Sequence, residues 1–552
     1  MVKEAINSCQ EKGLLAEGKI PPIIFDVPKR KEHGDLATNI ALTLASSQKM
    51  PAPEVARLIL AHLPDAGGII KRVEVAGPGF INFFLEEGYW FSLLDMLAGV
   101  EEGLPQLNIF HGQRVHIEYV SANPTGPLHV GHGRGGAVGD AIANILSTTG
   151  CQVHREYYVN DAGTQMETLG RSVALRCREL LGEGVEFPPE CYQGDYIVKI
   201  ADSLNQQERW SSPQEVEYEY YRSREFFEDF ASDFILEWIK DDMDKFGVRF
   251  DQYFGEKKEL IESGGIEHTL RELRDGGLIY DKDGASWFRS SAFGDEKDRV
   301  VKRASGPTTY FASDLAYIKN KFSRGFDRAI IVLGADHHGY VPRLRAATAA
   351  LGRDKEDLDV ILVQLVSLVR GGKPVAMSTR AGEFVTLREV VEEVGRDAAR
   401  FFLLMRRSDS HLEFDLELAR RQSEENPVYY VQYAHARIAS ILRHARERGL
   451  EPPTFTDIDF NQLRGSDDLD LIKAIGYFPD LLQGAALALE PHRIPFYLID
   501  LSATFHRYYL KNRVVSDARD LSLARLFLVF VLKGVIKKGL DLIGVSAPER
   551  MG

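Results

Sequence analysis

The chain has 552 residues, 44% of them hydrophobic and 27% charged, which is too long for one core and too apolar for a disordered or fibrous protein, so about three to four globular domains are expected. The formal net charge of −14 would count against nucleic-acid binding only on a uniform surface, because binding needs just one local basic face. Four cysteines without a C-x-x-C pair argue against a zinc ribbon or a disulfide scaffold, and the longest apolar run near the C-terminus, Leu526 to Leu532, falls far short of the ~20 residues that span a bilayer.

Met1 to Lys12 mixes Lys, Glu, Asn and Gln without an apolar core, so neither a secretory signal nor a transit peptide is read there, and a cytoplasmic location is expected. Up to about Asn108 the pattern predicts a small appended α+β domain, with a helical stretch over Ala37 to Ala45 and an apolar strand at Phe80-Ile81-Asn82-Phe83-Phe84. The chain then changes to strand, Gly-rich turn, helix and strand: Val115 to Val120, the loop Asn123 to Pro127, an amphipathic stretch from Gly131 to Leu146, and Val153 to Val159. Val138, Ala141, Ile142, Ile145 and Leu146 recur at helical spacing and Gly150 suits the C-terminal cap, which makes a βαβ unit of a parallel sheet. An acidic, aromatic-rich helical stretch, for example Glu215 to Lys245, breaks the alternation and predicts an insertion over about residues 165–290. Strands resume at Ile330-Ile331-Val332-Leu333 and Val360-Ile361-Leu362-Val363, short apolar runs of the kind covered on both faces. From about Arg396 only helical periodicity is found. Leu498, Leu501, Phe505 and Tyr508 form one stripe and Leu523, Leu526, Phe527, Phe530 and Val531 another, so a helical bundle is expected to close the chain. The expected architecture is an α+β domain over 1–108, an α/β domain with a Rossmann-like parallel sheet over 109–395, and an all-α domain over 396–552.

The run Asn123-Pro124-Thr125-Gly126-Pro127-Leu128-His129-Val130-Gly131-His132-Gly133-Arg134-Gly135 lies between a strand and a helix, where an open parallel sheet usually binds its ligand. Gly131 and Gly133 let an adenine ring and phosphates approach the backbone, while the helix N-terminus offers N–H groups and positive dipole to anions. His129 and His132 can donate hydrogen bonds to phosphate oxygens, and fixed donors that track charge growing on an α-phosphate lower the barrier to nucleotidyl transfer.

This run resembles the class I aminoacyl-tRNA synthetases, whose HIGH signature matches His129-Val130-Gly131-His132, and the flanking Ser121-Ala122-Asn123-Pro124-Thr125-Gly126-Pro127-Leu128 is similar to the arginyl members. Three more stretches resemble the same family: Tyr157-Tyr158-Val159-Asn160-Asp161-Ala162-Gly163, Gly334-Ala335-Asp336-His337-His338-Gly339-Tyr340, and Asn426 to Arg437. Asp397-Ala398-Ala399-Arg400 has the spacing of the family's DALR element. The resemblance implies ligation of L-arginine to the 3′ end of tRNA(Arg): ATP, as its magnesium complex, forms arginyl-adenylate with release of pyrophosphate, and the arginyl group then passes to the terminal ribose. It also implies that arginine activation requires bound tRNA. No protein-bound metal and no membrane contact are predicted, and a monomer is expected.

A site for arginine must replace the water around a planar cation with acceptors, a task that suits carboxylates. By the resemblance Glu118 and Asp314 face the guanidinium with Tyr310 beside it, Asn123 and His129 hold the α-amino and carboxylate end, and His337 contributes to the pocket. ATP is expected against His129, Gly131, His132, Gly133, Met377 and Ser378. The family's KMSK loop aligns with Ala376-Met377-Ser378-Thr379 followed by Arg380, so both signature lysines are missing, and Arg380 or Lys373, with Arg370 nearby, is the expected cation for pyrophosphate. Arg437, Arg443, Arg446, Arg448, Arg507, Lys511 and Arg513, interleaved with Tyr508 and Tyr509, suit phosphates and splayed bases. His33-Gly34-Asp35-Leu36-Ala37-Thr38-Asn39 resembles the family's appended domain, which touches the outer corner of tRNA. Two other readings compete: a nucleotidyl transferase of the same superfamily that never sees RNA, and a catalytically impaired paralogue that only binds tRNA.

Overall fold

The structure is a computed structural model and describes residues 1–21, 23–28, 30–100, 107–375 and 385–551. It divides into two compact units: Met1–Gly99 with Glu451–Gly476 and Val514–Val531, and Val100–Leu450 with Tyr477–Arg513 and Leu532–Gly552.

The first unit is built on an antiparallel sheet of β1 (Leu36–Thr38), β2 (Ile70–Ala76) and β3 (Phe80–Leu85) in the order β1-β3-β2. Helices Val2–Glu11, Ile40–Gln48 and Ala52–Ala61 turn Ile6, Leu44, Val55 and Ile59 into one core with Ile81 and Phe83 of β3. The helix expected over Ala37 to Ala45 starts only at Ile40, because Ala37 and Thr38 pair with Asn82 and Ile81 in β1. A strand of this length leaves no period-2 signal, and the apolar run after it reads as one helix. Within the same unit Lys473 donates to Asp35 at 2.5 Å, which ties helix Ser466–Gly476 to the segment entering β1.

The second unit carries five parallel strands: β4 (Arg114–Glu118), β5 (Gln152–Val159), β6 (Gln252–Gly255), and, beyond an antiparallel sheet of β7 (Ile279–Lys282), β8 (Ala285–Phe288) and β9 (Arg299–Lys302), β10 (Arg328–Gly334) and β11 (Leu358–Val363). Their order is β11-β10-β4-β5-β6. Helix Val130–Thr148 crosses from β4 to β5, as the βαβ pattern predicts. Val115, Ile117, Ala329 and Ile330 are fully buried because helices cover the sheet on both sides. The strand order runs outward in opposite directions from β4 and β10, and the crevice at the carboxyl ends of such a pair is where open α/β sheets hold ligands.

Two sequence expectations are corrected here. The expected insertion over about 165–290 contains β6, an edge strand of the central sheet paired with β5; its Gln-Tyr-Phe-Gly composition carries too short an apolar run to be told from loop. The helical interruption itself is Thr164–Leu180, Asp195–Asn205, Pro213–Arg222 and Arg224–Phe246. The region read as helices only from Arg396 includes β14 (Leu412–Asp415), which runs parallel to β12 (Val366–Arg370), itself paired with β13 (Lys373–Pro374). Leu412 and Phe414 are buried with Glu413 exposed between them, an alternation too brief to compete with the helical stripes around it. Four cysteines are buried free thiols, and no helix of the described residues is long and apolar enough to cross a membrane.

Candidate active site

β4 ends in Glu118, and the chain leaves the sheet through Val120 at φ 69° and Ser121 at φ 40°. A β-branched residue in the left-handed region is rare and costs of order 1–3 kcal/mol, so surrounding contacts must enforce the turn. One is the Tyr158 amide, which donates to Ser121 Oγ at 3.1 Å. The turn carries the chain over the sheet edge so that His129 becomes the N-cap of helix Val130–Thr148.

The two histidines cap this helix reciprocally. His129 Nδ1 accepts from the amides of Gly131 (3.1 Å) and His132 (3.4 Å), and His132 Nδ1 accepts from the His129 amide (3.3 Å). Their rings stack with centroids 3.7 Å apart. A ring whose Nδ1 accepts carries its proton on Nε2, so each imidazole is a neutral donor through Nε2. Burial lowers both from the usual histidine range, His132 down to about 3, where the neighbouring His129 adds to the effect. The glycines have geometric reasons as well: a Cβ on Gly131 would sit 2.9 Å from the His129 ring, and one on Gly133 would sit 2.5 Å from Leu387 Cδ1. At Gly133 the close approach is therefore to protein, which the ligand-based reading of that glycine did not foresee.

Helix Tyr310–Ser323 faces the carboxyl ends of β4 and β5 with a stripe of Tyr310, Asp314, Tyr317 and Lys321. Asp314 accepts a hydrogen bond from the Tyr340 hydroxyl. Burial pushes its carboxyl up to about 7, with Glu118 and Glu256 adding to the rise and Tyr340 and Lys321 opposing it. Glu118, 7% exposed, lies on an interior strand of the sheet and is already held by Lys321 Nζ at 2.5 Å. Glu256, 4% exposed, is raised by burial although the Ser313 and Tyr158 hydroxyls bond to it. Among the described residues Asp314 thus interacts with two further acids, Glu118 and Glu256, and with the Lys321 ammonium. Sequence reasoning found Glu118 and Asp314 but missed Glu256, Lys321 and Tyr340; the four-and-three spacing from Tyr310 to Lys321 was the available signal for the lysine. Behind them Glu156 takes hydrogen bonds from Arg324 (2.6 Å), Tyr317 (2.6 Å) and His116 (2.8 Å); burial would raise its carboxyl, but His116, His154 and Arg324 outweigh it and hold the group far below the usual range.

The other expected residues are more open. Asn123 donates to Gln165 at 2.6 Å; Tyr310 is 59% exposed at the first turn of its helix; His337 is exposed, and in its segment the residue that reaches Asp314 is Tyr340. Met377, Ser378 and Arg380 lie outside the described residues. Both flanks of that stretch are anchored. Val375 donates to Leu368 at 2.9 Å, and on the far side Leu387 donates to Leu128 at 2.7 Å while Thr386 bridges to His129. Lys373, in β13, is exposed and has no ion pair among the described residues, whereas Arg370 pairs with Glu393 at 2.6 Å.

Two buried arginines lock the signature helix. Arg134 donates to the carbonyls of Gln364, Arg407 and Ser410, each at 2.8 Å. Arg400 binds Asp140 at 2.5 Å and the carbonyls of Ile543 (2.8 Å) and Gly247 (3.0 Å), so the DALR-like arginine is a structural tie. In the helical region Arg437 bonds to the Tyr433 hydroxyl at 2.5 Å and lies over the Tyr433 and Tyr509 rings. Tyr508, 2% exposed, belongs to the core and not to a stacking face, while Phe530 of the expected apolar stripe is 40% exposed.

The profile described as tRNA synthetases class I (R), catalytic domain, matches residues 96–413; Arginyl tRNA synthetase N terminal domain matches 1–85, and DALR anticodon binding domain matches 431–551. An arginine–tRNA ligase of Desulfosudis oleivorans is 53% identical over 553 residues, covering 100% of this chain and 99% of the relative. One of Syntrophotalea carbinolica is 52% identical over 550 residues with the same coverage. The solved arginyl-tRNA synthetase of Thermus thermophilus aligns over 100% of this chain and 99% of its own with TM-score 0.77 at 24% identity, a likeness of fold. The chain belongs to the arginyl-tRNA synthetase family of class I aminoacyl-tRNA synthetases.

Proposed function

We propose that the chain is an arginine–tRNA ligase that activates L-arginine with ATP and transfers it to tRNA(Arg). The observation that carries the reading is that a cluster of buried acids and a helix N-terminus capped by two neutral histidines both lie at the carboxyl end of β4. Asp314 and Glu118 take the guanidinium, with Tyr310 beside it, and Asn123, His129 and His337 hold the α-amino and carboxylate end. The Nε2–H groups of His129 and His132, with the amides of the helix N-terminus, donate to phosphate oxygens of ATP as negative charge grows on the α-phosphate. ATP enters as its magnesium complex, and no protein side chain is assigned to the metal. Tyr429, Tyr433, Tyr509 and Arg437 offer a partly exposed stacking surface for splayed tRNA bases, the support for placing the anticodon there. ATP–pyrophosphate exchange with each amino acid, run with and without total tRNA, tests the assignment. Exchange stimulated by arginine and by tRNA is expected; tRNA binding without exchange on any amino acid overturns it in favour of an impaired paralogue.

The raised Asp314 carboxyl gives the pocket a pH dependence. In the free protein this group is protonated below about 7, and a guanidinium pairs only with the ionised form, so arginine must displace a proton. The KM for arginine is expected to rise by up to roughly tenfold for each pH unit below about 7 and to level off above about 8, with the KM for ATP following no such course. An arginine KM that is flat between about pH 6 and 8 rejects Asp314 as the titrating partner.

Arg380 and Lys373 stand in for the absent signature lysines. Pyrophosphate leaves highly charged, and a cation that meets this charge as it develops lowers the barrier. Gly371 at φ 57° and Gly372 at φ 71° form the tight turn between β12 and β13 that presents Lys373. The Lys373→Ala, Arg380→Ala double variant is expected to form adenylate at least about tenfold more slowly in single turnovers, with arginine affinity intact. A wild-type rate in the double variant defeats the assignment.

A further inference from the structure

Lys321 is the least expected residue of the acid cluster. Its side chain is fully buried, its Nζ lies 2.5 Å from Glu118 Oε2, and it sits over the Tyr317 ring at 4.0 Å. A buried ammonium is expensive unless paired, and no other carboxylate among the described residues forms an ion pair with it. The helix stripe explains the placement: Asp314 and Lys321 are two turns apart on one face, with Tyr317 between them bonded to Glu156. Glu118 enters from β4, which pairs directly with β5 and β10, so its backbone cannot shift to follow a ligand.

We propose that Lys321 is a positioning residue for amino-acid selection: it clamps one oxygen of Glu118, so that the carboxylate meets the guanidinium of arginine through its other oxygen in a fixed orientation, and Asp314 supplies the opposing acceptor. This rests on the arginine-pocket reading above. The clamp serves selection in two ways. It offsets part of the charge of the clustered acids, since Asp314 lies within the fields of Glu118, Glu256 and Lys321. It also denies Glu118 the freedom to swing toward the compact ammonium of lysine or ornithine, whose shorter reach needs a mobile partner, whereas a planar guanidinium meets fixed acceptors at fixed angles. Tyr340, which bonds Asp314, performs the same service for the second carboxylate.

The test uses the full-length protein, with arginine-dependent exchange by the wild type established first, since wild-type exchange that does not depend on arginine overturns the underlying reading and not merely the clamp. Lys321→Met is expected to raise the KM for arginine about tenfold or more, to leave the KM for ATP and the rate at saturating arginine near wild type, and to narrow the preference for arginine over ornithine. The Glu118→Gln, Lys321→Met double variant removes both charges and guards against loss of fold; its arginine KM is expected to be no higher than that of Glu118→Gln alone, because Lys321 acts through Glu118. A wild-type arginine KM in Lys321→Met overturns the proposal. So does an equal rise in the KM for arginine and for ATP, or a double variant whose defect is the sum of the two single ones.

Discussion

His132→Ala is expected to slow adenylate formation in single turnovers by about 10²–10³-fold, with arginine binding little changed, because one preorganised donor to the α-phosphate is lost. The argument starts from the cap. Both Nδ1 atoms are committed to backbone amides, which leaves each ring one proton, on Nε2, and burial keeps the rings neutral. A donor fixed in this way needs no reorientation as charge develops. His129 carries a second duty as N-cap, so His129→Ala also weakens the helix start, by about 0.5–2 kcal/mol. The two duties separate in His129→Asn, whose side-chain oxygen still caps the Gly131 and His132 amides but whose short amide cannot reproduce the ring donor. The expected pattern is a full catalytic defect in His129→Asn with near-normal thermal stability. Unaltered single-turnover activation in His129→Asn and His132→Ala removes both rings from the mechanism.

How much of this was legible in the sequence follows from the range of each signal. The β4–helix–β5 unit stands out because its helix has a clear period, and β10 and β11 because their apolar runs, though short, are uninterrupted. β1, β6 and β14 are each held by pairing with a strand remote in sequence, and a short run cannot announce a partner it meets only in three dimensions. The same limit divides the site. His129 and His132 are readable from local spacing, but their reciprocal cap is not, since Ser, Thr, Asp and Asn are the usual capping types. Glu118 and Asp314 are readable as acids beside a nucleotide turn, whereas Glu256 follows directly on the unrecognised β6 and Lys321 looks like a surface lysine until the helix is docked on the sheet. Arg400 shows the converse: its motif reads by spacing as the family's DALR element, and its guanidinium is spent on Asp140 and three backbone carbonyls.

Asp314→Asn should lower kcat/KM for arginine by about 10–150-fold, the equivalent of the 1.5–3 kcal/mol that a charge-assisted pair contributes. The substitution conserves volume and keeps an oxygen for the Tyr340 hydroxyl, so the helix stripe has no reason to shift. What it removes is specific. The amide presents one acceptor and a donor to a guanidinium that has only donors, so the second bond is lost and a donor–donor contact takes its place. It also removes the group raised to about 7, so the arginine KM of Asp314→Asn should lose the wild-type rise toward acid pH, and that loss distinguishes removal of the charge from general damage to the pocket. Glu118→Gln should reduce arginine use by an order of magnitude or more as well, but it leaves the fully buried Lys321 ammonium without its carboxylate, which threatens the fold by about 3–5 kcal/mol. Asp314→Asn is therefore the cleaner measurement, and Glu118→Gln must be read beside its thermal stability. Wild-type kcat/KM for arginine in both variants would place the guanidinium elsewhere, and the next acid to test would be Glu256, which is buried and bonded by the Ser313 and Tyr158 hydroxyls.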